Sequence, residues 1–150
     1  MDNNAKVIDL NLSDIKKQRI RINGDDSKIV EINLSDMGVM DRLQHVYNKL
    51  VELANQYHLD NEDEETDTAI IIEQLKSIDA EMRKLVDYTF NANVSAICAE
   101  DGTMADPING QFRFEYIIEK FLGLYDMHFT AEFKKMSAKV NQRTKKYTRK

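Results

Sequence analysis

The chain has one cysteine, one proline and five glycines among its 150 residues, and it has no long apolar run. A lone Cys98 cannot close an internal disulfide, which suits a reducing compartment. The longest uninterrupted apolar stretches, Ala69 to Ile72 and Ala96 to Ala99, fall far short of the roughly 20 residues a membrane-spanning helix needs. Met1-Asp2-Asn3-Asn4 offers neither the basic stretch nor the apolar core of a secretory signal. The expected location is therefore the cytoplasm, with no membrane partner.

The usual arrangements for catalysis and metal binding are also missing. His45, His58 and His128 stand far apart, and none belongs to a paired-ligand spacing. The segment from Asp101 to Asn109 lacks the alternating ligands and the closing bidentate glutamate of a calcium loop. No serine sits in a glycine-flanked elbow, Cys98 has no histidine near it in sequence, and no glycine-rich phosphate fingerprint occurs. Glu73, Asp79 and Glu81 read as a solvated helix face, on which Glu81 can pair with Lys84 three residues on. No catalytic, cofactor-binding or metal site is predicted, and the chain is expected not to be an enzyme.

What is present describes a globular protein with a highly charged surface: 42% apolar residues, 31% charged residues and a mean hydropathy of −0.55. A chain of this length can bury about 70% of the surface its unfolded form exposes, so it needs no metal or disulfide to fold. Charge is unevenly placed. The last twenty residues carry eight bases against the single acid Glu132, a surplus of seven, so with a whole-chain charge of −5 residues 1–130 carry −12. Six acids crowd into Asp60, Glu62, Asp63, Glu64, Glu65 and Asp67. Like-charge runs favour solvated segments, and fields of opposite sign steer association.

Periodicity predicts an α+β fold, a small N-terminal antiparallel β-sheet followed by a helical bundle of about three main helices. Ile8, Leu10 and Leu12 alternate with polar residues, as do Ile20 and Ile22, and Val30, Ile32 and Leu34. Asn23-Gly24-Asp25-Asp26-Ser27 suits a hairpin loop. Ser35 or Asp36 can cap a helix beginning near Met37, whose stripe includes Val39, Met40, Leu43, Val46, Tyr47, Leu50 and Leu53. A second helix is predicted from Thr66 or Asp67 towards Cys98, with a kink or break near Phe90. Residues 100–110, with two glycines and the proline, read as a long loop. A third helix from about Gln111 carries Phe114, Ile117, Ile118, Phe121, Leu122, Tyr125, Phe129, Phe133, Met136 and Val140, with Gly123 inside it to permit close packing. The whole chain forms one domain: a β-rich part at 1–34, a helical part at 35–140, and a basic, flexible tail at 141–150.

The run Gly102-Thr103-Met104-Ala105-Asp106-Pro107-Ile108-Asn109-Gly110-Gln111-Phe112-Arg113-Phe114-Glu115-Tyr116-Ile117-Ile118, then Phe133-Lys134-Lys135-Met136 and Lys145-Lys146-Tyr147, resembles phage tail assembly chaperones of siphophages and prophages of Gram-positive bacteria. The order of a β-rich start, an Asn33-Leu34-Ser35-Asp36 helix start, an acidic loop and a long helix is similar to theirs as well. The specific part of the likeness covers residues 102–147. It implies a protein of the host bacterial cytoplasm that coats the tape-measure protein, keeps it soluble and helps recruit tail-tube subunits. It also implies self-association into a homo-oligomer, and in some members a longer form made by ribosomal frameshifting.

Surface complementarity would be the working principle, with grooves between helices covering the apolar stripe of an elongated helical partner. Flexible methionines, Met37, Met40, Met82, Met104, Met127 and Met136, suit such contacts or fill the core. Phe112, Phe114 and Tyr116 are the candidate partner or self-contacts. Lys134, Lys135, Lys139, Arg143, Lys145 and Lys146 are the candidate electrostatic contacts. Two other functions fit the same residues: a small phage-encoded inhibitor or regulator of a host protein, and a basic-tailed nucleic-acid binder.

Overall fold

The computed structural model describes residues 5–12, 17–57 and 67–148. Their fold is α+β, with an antiparallel hairpin at the N-terminal side followed by helices. Strands β1 (Gln18–Ile22) and β2 (Asp25–Ile32) pair with Ile20 opposite Val30, and the register shifts by a bulge after Arg21. Asn23 and Gly24 connect them at φ 54° and 73°. Positive φ at both central residues is what a tight right-twisting hairpin demands, and Asn-Gly supplies it at little steric cost. Val30 and Ile32 point into the core.

Residues 8–12 do not form the expected strand, and Val7, Ile8, Leu10 and Leu12 lie exposed. Alternation marks a segment suited to pairing but provides no neighbour, and the described sheet stops at two strands.

Helix α1 (Val39–Tyr57) begins where the sequence places it. The Asp36 carboxylate accepts the Gly38 N–H at 2.9 Å and pairs with Arg42, which fixes the first turn. Val39, Leu43 and Val46 are buried at helical spacing, whereas Met40 and Tyr47 face outward.

The expected long second helix is three pieces: α2 (Thr68–Ser77), α3 (Asp79–Phe90) and α4 (Ser95–Cys98). The break after Phe90 falls where Asn91 and Asn93 weaken the helix, and Asn91 closes α3 in the left-handed region at φ 48°. Asp87 then accepts the backbone N–H groups of Val94 and Ser95 and the Ser95 hydroxyl, which starts α4. The break at Ile78 leaves no mark in the hydrophobic pattern. It frees Asp79 to accept the Met104 N–H at 2.7 Å and to pair with Arg83 at 2.9 Å.

Residues 100–112 form a compact turn region, and the expected loop contains a short hairpin. Strands β3 (Pro107–Ile108) and β4 (Gln111–Phe112) make a second hairpin around Asn109 and Gly110, at φ 53° and 79°. Arg83 donates to the carbonyls of Ser95, Ala99 and Gly102, so one guanidinium holds three turns of backbone. The Arg113 and Phe114 N–H groups donate to the Asp106 and Met104 carbonyls at 2.8 Å each. Two otherwise orphaned donors at the start of α5 (Arg113–Thr148) are thereby satisfied.

The core gathers Val30 and Ile32 of the hairpin, Val39, Leu43 and Val46 of α1, Met82, Val86 and Phe90 of α3, and Phe114, Ile118, Phe121 and Tyr125 of α5. Only the first half of α5 is packed. From Thr130 to Thr144 every side chain except Glu132 is exposed. The helix runs on to Thr148, so residues 141–148 continue α5 and do not form the separate tail expected there. Nor does Gly123 permit a close approach, because a Cβ there would meet nothing within 4 Å.

Candidate protein-binding surface

An aromatic ladder leads from the core to the outside. Phe90 packs against Phe121 and Tyr125, with centroids 5.1 and 5.9 Å apart; Tyr125 meets Phe129 at 6.3 Å, and Phe129 stacks on Phe133 at 5.8 Å. The Tyr125 hydroxyl is buried without a hydrogen-bond partner. Burial is the main reason its pKa is pushed up to about 12, with the nearby Asp36 carboxylate adding to it. His128, one turn further, shares a 2.8 Å hydrogen bond with the Ser35 hydroxyl and ties α5 to the turn before α1. Beyond that point the helix leaves the body. Phe133, Met136 and Val140 are 49%, 56% and 58% exposed.

A second apolar surface lies at the other end of the body. The C-terminal half of α1, the start of α3 and the start of α5 enclose an open groove of about 330 Å³, walled by Tyr47, Leu50, Val51, Ile78, Met82 and Phe112, with Glu115 on its edge. It adjoins a more polar groove lined by Glu52, Glu81 and Lys49, and the two share Leu53. These walls arise because α1 buries one stripe and leaves the adjacent Tyr47 and Val51 uncovered.

The three predicted aromatic contacts separate. Phe112 is half-buried in the groove wall. Tyr116 is half-buried beside a smaller groove of about 300 Å³ near Arg21 and Cys98, with the Lys120 ammonium 5.4 Å from its ring centroid. Phe114 is fully buried and has no surface to offer a partner, which corrects that expectation. Its position, two residues after Phe112 across a strand-to-helix junction, turns it inward against Met104 and the core. Of the predicted electrostatic contacts, Lys134, Lys135, Lys139 and Arg143 are exposed on the projecting helix. The side chains of Lys145 and Lys146 lie outside the described residues, as do His58 and the acids from Asp60 to Glu65.

Sequence reasoning predicts grooves between helices but does not place this one, because its walls need α1, α3 and α5 together. The hairpin that places Phe112 was detectable, since Asn109-Gly110 is the same turn dipeptide as Asn23-Gly24.

Several partly buried charged side chains hold turns. Asp36 is kept below the usual carboxylate range, chiefly by the Arg42 guanidinium, and Asp106 chiefly by the Thr103 hydroxyl. Burial raises the Cys98 thiol to about 11, which leaves it protonated and weakly nucleophilic at neutral pH. Among the described residues no group of three or more His, Cys, Asp or Glu side chains could hold a metal ion, and no helix is long and apolar enough to cross a membrane. No protein-family model, curated protein or solved structure matches this chain.

Proposed function

We propose that this chain is a non-catalytic phage tail assembly chaperone. It binds the tape-measure protein and tail-tube subunits in the host cytoplasm during tail morphogenesis, and it self-associates. The likeness of residues 102–147 to that family supports the reading. The structural observation that carries it is the half of α5 beyond Thr130, which bears Phe133, Met136 and Val140 outward with no cover from the described chain. Such a surface suits an elongated helical partner whose own apolar stripe would otherwise aggregate.

Co-expression tests the reading. The tape-measure protein of the phage or prophage that encodes this chain stays soluble and co-purifies with it, and an unrelated acidic protein gives no rescue. Tape-measure protein that precipitates equally with and without the chain defeats the proposal.

One competing reading has an observation of its own. The exposed bases Lys134, Lys135, Lys139 and Arg143 on one helix suit a nucleic-acid backbone. Salt-dependent retention on DNA that vanishes on deleting residues 134–150 would favour it. Co-purification with a host enzyme in place of a tail protein would favour an inhibitor.

A further inference from the structure

Resting on the reading that this chain works through protein contacts, we propose that the projecting half of α5 in one copy docks into the α1–α3 groove of a second copy. Phe129, Phe133, Met136 and Val140 are spaced by four, three and four residues. That is the 3.5-residue repeat of a seam built to face other helices. From Phe133 to Val140 the seam spans about 10 Å of helix axis, and the α1 wall from Tyr47 to Leu53 spans about 9 Å, at 1.5 Å per residue. The two apolar surfaces match in length.

The seam cannot reach the groove of its own chain. Glu115, on the groove edge, and Phe133, in the seam, belong to one continuous helix, and they stand roughly 27 Å apart along it. A helical rod cannot fold back onto its own first turn, so a seam that docks in this groove belongs to another molecule.

Charge then selects which surface of that molecule is used. Two projecting helices laid side by side would bring Lys134, Lys135, Lys139 and Arg143 of each copy together, like charge against like. The groove carries Glu115, and the polar groove beside it carries Glu52 and Glu81, which pair with Lys49 and Lys84, so acids outnumber bases there and the opposite sign is offered. Seam and groove are different patches, so the contact is heterologous and can propagate from copy to copy.

Two double variants test the contact by light scattering and sedimentation over a concentration series. The seam variant is Phe133→Asp with Met136→Asp, and the groove variant is Tyr47→Lys with Val51→Lys. All four side chains are exposed, so the fold should survive, and circular dichroism checks that it does. Wild type self-associates, and added salt weakens it. Each variant alone associates at least about tenfold more weakly. An equimolar mixture forms a 1:1 complex, because the groove variant keeps an intact seam and the seam variant keeps an intact groove.

A wild type that stays monomeric overturns the proposal. So does a groove variant that associates alone as wild type does, which would indicate pairing between seams, or a mixture that stays monomeric. A monomer that still keeps tape-measure protein soluble removes the docking and spares the chaperone function. Self-association without that solubility does the reverse.

Discussion

The rings of Phe129 and Phe133 stack with centroids 5.8 Å apart and planes 13° from parallel, across the point where α5 leaves the body. Phe129 is half-buried against the core, and Phe133 is 49% exposed. The pair extends the packed aromatic ladder into solvent and gives the projecting helix a rigid apolar start.

That relationship separates stability from binding. Truncating Phe90, buried where three aromatic rings meet, should cost about 3–5 kcal/mol in chemical denaturation. Phe133→Ala should change stability by about 0.5 kcal/mol or less, as outward substitutions do, yet weaken partner capture. Comparable stability losses at both positions would mean that Phe133 serves the core.

Arg83 should be among the most sensitive polar positions. Its guanidinium meets Asp79 and the carbonyls of Ser95, Ala99 and Gly102. Arg83→Ala leaves those acceptors unpaired and should cost about 2–4 kcal/mol. Lysine keeps the charge but not the planar fork, so Arg83→Lys should recover little. Full recovery in equilibrium unfolding would show that charge alone matters there.

Gly123 offers the opposite sign. It lies exposed in the interior of α5, where an added Cβ meets open space. Gly123→Ala should therefore raise stability by about 0.5–1 kcal/mol, read as a higher unfolding midpoint. A loss would reveal a close contact at that face.

Acid should loosen the turns at both ends of the body. Asp36 and Asp106 have folded pKa values below the ordinary 3.8, through Arg42 and Thr103 respectively. A depressed carboxylate contributes stability that is present above its unfolded value and is lost as pH falls through the lower folded value. Unfolding midpoints should drop as pH falls through about 4 and below, and Asp36→Asn with Asp106→Asn should flatten that dependence. An unchanged slope in the double variant would assign the acid response to other groups.

The sequence alone announced the elements whose signals are local. Asn23-Gly24 between alternating runs marked the first hairpin, Ser35-Asp36 before a helical stripe marked α1, and the aromatic spacing marked α5. The segment from Ile8 to Leu12 misled because alternation carries no information about a pairing neighbour. The break at Ile78 was silent because its cause lies 25 residues away, where Asp79 meets Met104. Phe114 looked like Phe112 by composition, and only the junction between β4 and α5 sends one inward and leaves the other at the groove. The groove itself is assembled from three helices and has no signature in any one of them.

Soluble yield of co-expressed tape-measure protein, compared between wild type and the Phe133→Asp, Met136→Asp variant, tests the account most directly. If the uncovered seam of α5 is what meets other polypeptides, the partner stays in solution with wild type and precipitates with the variant, while the variant's own fold is unchanged. Equal solubility with both chains, or with neither, would contradict it.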